Sequence, residues 1–208
     1  MYVRSVFVCV VVLLIAFAAT QVSAAEPKKG ILRVSGDNTW EAYVNGEEVG
    51  RGVDWQQVGV YEFELRNGFA IIAVHVHDAE PGAAGVGGFL ADIILDDGTY
   101  IGTGESDWKA SNNDSYLKDD AWIDPNFDDS DWEEPQLYEK FGGGVWAFGA
   151  GTMGQFLKDP DCTANWIWAG PNGVADEVFF RYTIGKGKMA VEPCGKCAVT
   201  WGQMKAIY

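Results

Sequence analysis

The run from Asn38 to Gly52 constrains this chain more than any other stretch of its 208 residues. Trp40, Ala42 and Val44 alternate with Glu41 and Tyr43, the period-two pattern of a strand with one buried face. Asn45-Gly46 follows, two residues that accept the positive φ angles of a type I′ turn. The stretch therefore predicts a β-hairpin with Trp40 on its core side. Similar signals recur downstream. Strands are expected over 31–34, 58–65, 69–77, 89–95, 99–102 and 178–184, with turns at Asn67-Gly68 and Asp96-Asp97-Gly98. Within 69–77, Ile72, Val74 and Val76 share one face. Many short strands with Gly, Asn and Asp turns predict an all-β sandwich or barrel. Residues 106–170 differ: they are rich in Trp, Asp and Gly and weak in periodicity. They read as loops that cross the sandwich and pack through their aromatics.

Residues 1–25 read as a signal peptide. Arg4 precedes an apolar run over 6–19, and small residues follow at Ser23-Ala24-Ala25. That run is shorter than a membrane span and no second one follows, so a secreted, extracellular protein without a membrane span is expected. Losing Arg4 takes the formal net charge from −15 to −16. Such a balance argues against nucleic acid, whose phosphates it would repel. Cys9 leaves with the signal, and Cys162, Cys194 and Cys197 remain. In an oxidising compartment this odd count predicts a bridge from Cys162 to one of the pair. The third sulfur would then be free or link two chains as a homo-oligomer. Arg181, inside an apolar strand, is expected to pair with a carboxylate.

Four blocks in order carry a family resemblance. They are 38–52 with Val53-Asp54-Trp55, Asp107-Trp-Lys-Ala-Ser111, Phe127-Asp-Asp-Ser-Asp-Trp132, and Trp166-Ile-Trp168 leading to 178–184. Together with Ile72-Ala-Val74 they resemble the galactose-binding-like jelly-roll domains that accompany glycoside hydrolases of the β-galactosidase and α-L-rhamnosidase types. The resemblance implies a jelly-roll β-sandwich over 26–186, free-standing here without the catalytic barrel; the Cys-containing tail at 187–208 lies outside the family pattern. It implies a binding or packing module and no catalysis. No Gly-x-Ser-x-Gly or His-Glu-x-x-His signature of an enzyme is present either.

Sugar binding needs an apolar ring face and a few fixed polar groups around it. Trp55, Trp122 and Trp146 sit among Gly and Asp rather than in strand patterns, which makes them the candidate platforms. Asp54, Asp124 and Asn126 are the candidate polar partners. Core packing is the other reading for each Trp. Asp119, Asp120, Asp124, Asp128 and Asp129 offer carboxylate oxygens to calcium (Ca2+), or form a solvated acidic loop; in the 127–132 block, Asp and Ser also suit Asx and ST turns. His75 and His77 share a strand face but lack a nameable third metal ligand, so a surface pair is expected. Asn113-Asp-Ser115 is an N-glycosylation sequon. The expected function is that of a secreted, non-catalytic, lectin-like protein whose partner is a carbohydrate or glycoprotein. The alternative is an acidic extracellular-matrix or mineral-associated structural protein with no specific sugar ligand.

Overall fold

The computed structural model describes residues 28–80, 86–105 and 107–185. The signal segment, Cys194, Cys197 and the tail at 187–208 lie outside these residues. Strands β1 (Lys29–Asp37), β4 (Gly59–Glu64), β6 (Gly88–Leu95), β7 (Tyr100–Gly102), β9 (Gln136–Lys140) and β10 (Asn165–Trp168) form one antiparallel sheet. Its order is β4-β1-β6-β10-β9, with β7 also on β6. Strands β2 (Thr39–Val44), β3 (Glu47–Gly52), β5 (Ala70–His77), β8 (Lys109–Ser111) and β11 (Glu177–Ile184) form the other, in the order β3-β2-β5-β11-β8. The chain crosses repeatedly between the two sheets, as in a jelly-roll β-sandwich.

The hairpin forms as its sequence requires. Asn45 and Gly46 take φ of 53° and 86° between β2 and β3. Trp40, Ala42 and Val44 are buried, Trp40 to 1% exposure. They meet Leu32, Val34, Phe63 and Ile93 from the opposite sheet in one apolar core. Phe89 stacks on Phe180 across it at 4.3 Å. Each fully buried side chain of this size contributes roughly 1.5–3 kcal/mol. Asn67-Gly68 also turns with two positive φ angles, but β4 and β5 on its flanks belong to different sheets. It works as a corner between the layers, closed by the Arg66–Phe69 bridge.

The stretch read as loops contains three strands, β8, β9 and β10. The first spans three residues, too few for a period to register, and β10 is buried at every position and so does not alternate. What remains of the stretch covers the outer faces of the sheets. Trp146, Met153, Leu157 and Trp166 form a second cluster with Leu90 on the outer side of the six-stranded sheet. Trp122, Trp132, Phe179 and Ala73 form a third on the five-stranded one. That cover is why Ile71 and Ala73, on the outward side of β5, are buried as deeply as Ile72 and Val74.

Arg33, 2% exposed, ties down the first cover. It donates to both Asp92 oxygens at 2.6 Å and to the carbonyls of Phe156, Asp159 and Pro160. Burial opposes its charge, but the bond and charge of Asp92 outweigh that and hold its pKa above the ordinary value.

Candidate functional site

The segment over the five-stranded sheet is built from repeated side-chain caps. Asn113 Oδ1 accepts from Ser115 N at 3.0 Å and starts the 3₁₀ turn Asp114–Leu117. Asp119 Oδ1 accepts from Ala121 N at 3.0 Å and starts Asp120–Ile123. Asp124 and Asp128 accept from Asn126 N and Ser130 N at 2.7 and 3.1 Å. Short polar side chains bond backbone amides two residues on and hold the chain in turns. Arg181, 1% exposed, pins this segment to β11. Its Nε donates to Asp129 Oδ2 at 3.0 Å, and its other nitrogens donate to the carbonyls of Trp122 and Asp124. Its guanidinium also lies 5.3 Å from the centre of the Phe127 ring. Burial lowers its pKa, against the pull of Asp129 and Asp124. The carboxylate partner expected for Arg181 is thus Asp129, which also accepts from Lys109 at 2.9 Å.

Between this cover and the sheet lies a cleft of about 410 Å³. That volume falls in the roughly 300–1,000 Å³ range of small-molecule sites. Aromatic rings form much of its wall. Trp122 meets Tyr43 edge-on at 5.6 Å and Phe179 at 5.0 Å, and Tyr116 meets Phe179 at 5.4 Å. His75 stacks on Phe179 at 4.7 Å. Polar groups interrupt the aromatic wall. Tyr43 donates its hydroxyl to Glu41 Oε2 at 3.1 Å, and Arg51 lies 3.4 Å from Glu41 Oε1. Burial, then Glu41, pushes the Tyr43 phenol up to about 12, so it stays a hydrogen-bond donor at neutral pH. Asp120 is exposed at the cleft. On the core side of the hairpin, Gly52 of β3 lies against the Trp40 indole and leaves no room for a Cβ. That buried indole N–H has no hydrogen-bond partner among the described residues.

The residues singled out from the sequence do not converge. Trp122 lines the cleft but is only 3% exposed, and Trp146 is equally buried. Trp146 stacks on Trp166 at 4.5 Å and donates to Asp37 Oδ2, so packing explains it and it presents no free face. Trp55 is half-buried on the opposite cover, edge-on to Phe148 at 4.9 Å. Asp54 accepts from Gln56 N in a local turn. Asp124 and Asn126 belong to the cap ladder beside the cleft and do not line it.

The five carboxylates proposed for calcium are also dispersed. Three act as caps and Asp129 is committed to Arg181 and Lys109. Among the described residues, no group of three or more His, Cys, Asp or Glu side chains is arranged to hold a metal. Cys162 carries a free thiol, pushed up to about 12 by burial and then by Asp92; it forms no bridge with a described residue. Asn113 is exposed and caps its turn. His75 and His77 are not a plain surface pair, because Glu177 lies between them. His75 Nε2 is 2.6 Å from Glu177 Oε2; His77 Nδ1 is 2.9 Å from Oε1, without hydrogen-bond geometry.

Sequence reasoning missed Glu41, Tyr43, Arg51, His75 and Tyr116 as site residues. The available signal was the outward face of the hairpin, where an aromatic and a carboxylate alternate with the core positions.

Fold and site together define an all-β sandwich with one aromatic and polar cleft on a sheet face. No protein-family model and no curated protein matches the sequence. Among solved structures, the apo form of a Pleurotus ostreatus lectin is similar at 21% identity and a TM-score of 0.46, over 58% of this chain. The aligned part amounts to 35% of that lectin's length.

Proposed function

We propose that this protein is a secreted, non-catalytic carbohydrate-binding protein and that the cleft over the five-stranded sheet holds the sugar. The observation that carries this reading is the joint presence of aromatic rings and fixed polar groups in one small-molecule-sized cleft. Sugar rings have an apolar C–H face that packs on aromatic surface, and hydroxyls that demand both acceptors and donors. Tyr43 and Tyr116 supply the surface, Glu41 and Asp120 accept, and Arg51 donates. The resemblance of the four sequence blocks to galactose-binding-like modules supports the same reading, as does the signal-like N-terminus.

A glycan array followed by calorimetry tests it. A sugar ligand is expected, with Tyr43→Ala weakening its binding about two- to tenfold, in line with roughly 0.5–1.5 kcal/mol per aromatic contact. Trp55→Ala should leave binding unchanged. Absence of any sugar ligand overturns the proposal, and so does a loss confined to Trp55→Ala.

A further inference from the structure

Resting on that reading, we infer that the cleft selects its sugar by charge, taking amino sugars ahead of neutral ones and rejecting uronic and other acidic sugars. Glu41 and Asp120 bring two carboxylates to the cleft wall, and Arg51 is the cation beside Glu41. Arg51 is already committed: its Nε and a terminal nitrogen donate to both oxygens of Glu48 at 2.9 and 2.7 Å, and its remaining nitrogen faces Glu41 at 3.4 Å. A sugar carboxylate entering the cleft would have to compete with two carboxylates for that one guanidinium. His75 offers no free cation either, since Glu177 sits 2.6 Å from its ring nitrogen.

An ammonium group meets the opposite situation. Glu41 and Asp120 attract it, and electron-rich rings such as Tyr43 and Tyr116 attract cations as well. The chain's formal charge of −15 adds a long-range field of the same sign. Neutral hydroxyls fit the same hydrogen-bonding groups without this gain, which places neutral sugars between the two.

The test uses the full mature chain, titrated by NMR at low and high salt. Two sugar series serve as ligands: glucosamine, glucose and glucuronic acid, then their galacto epimers. In whichever series binds, the amine form is expected to be about two- to fivefold tighter than the neutral form at low salt, with the acid weakest. At about 0.5 M salt the differences should shrink towards unity, as exposed charges are screened. Glu48→Gln, outside the cleft wall, should free Arg51 and narrow the gap between amine and acid. Equal binding of all three forms, or tighter binding of the acid, overturns the selectivity while leaving the sugar reading intact. If neither series nor any array glycan binds, the sugar reading itself falls and the selectivity with it.

Discussion

Two long segments cover the outer faces of this sandwich, and each is held by one buried arginine, yet one closes its sheet and the other leaves a cleft. Over the six-stranded sheet, Arg33 pairs with Asp92 of the neighbouring strand and spends its remaining hydrogens on carbonyls of the cover. Around it Leu157, Cys162 and Leu90 pack with no volume left for a water-sized guest. Over the five-stranded sheet, the partner of Arg181 is Asp129, which belongs to the cover itself. The ion pair there links segment to sheet, and beside the aromatic cluster around Phe179 the cover leaves the cleft open. The lesson is that where an arginine finds its carboxylate decides what it holds: Arg33 braces a sheet, whereas Arg181 suspends a roof.

The largest expected effect comes from breaking the brace. Asp92→Ala leaves a buried guanidinium unpaired and should cost about 3–5 kcal/mol, read as a drop in the urea midpoint. Sugar affinity of the folded fraction should be unchanged. Arg181→Met should cost somewhat less, about 2–4 kcal/mol, because Asp129 keeps Lys109. Unlike the first variant, it should weaken sugar binding at least tenfold, since Trp122 and Asp124 lose the donor to their carbonyls. Equal effects of both variants on binding would dissolve the contrast between the covers.

A smaller effect sharpens the comparison from the closed side. Asp37 accepts from Trp146 under that cover, and burial raises its pKa to about 6 from 3.8, with Asp78, Glu80 and Asp54 adding to the rise against the Trp146 bond. The folded protein therefore holds this proton more tightly than the unfolded chain. Stability from this group is complete below about pH 4 and is lost as pH rises through 6. Asp37→Asn, which keeps an acceptor for the indole, should stabilise the protein by about 1 kcal/mol at pH 7 once solvent screening is allowed for. The gain should vanish near pH 4 in denaturant titrations, and sugar affinity should not move.

Much of the sandwich was legible in the sequence because its signals are local. The Asn45-Gly46 turn and the alternation on either side of it fixed a hairpin without reference to anything distant. Arg181 announced a partner because a charge in an apolar strand needs one, although the sequence alone could not choose among the carboxylates. Strands β8 and β10 escaped because the first is too short for a period to register and the second too uniformly buried to alternate. The cleft escaped for a different reason: Glu41, Arg51, His75 and Phe179 come from four strands and Tyr116 from the cover, and no spacing along the chain records their meeting. Trp146 misled because its Gly-rich neighbourhood looks like a loop, while its ring is stacked on Trp166.

The central claim is that sugar binds under the roof held by Arg181 and not on the closed cover. Following the indole N–H resonances of Trp122 and Trp55 during a sugar titration tests it most directly. The Trp122 signal is expected to shift saturably with ligand while the Trp55 signal stays in place; a saturable shift of Trp55 with Trp122 unmoved would put the sugar on the closed cover instead.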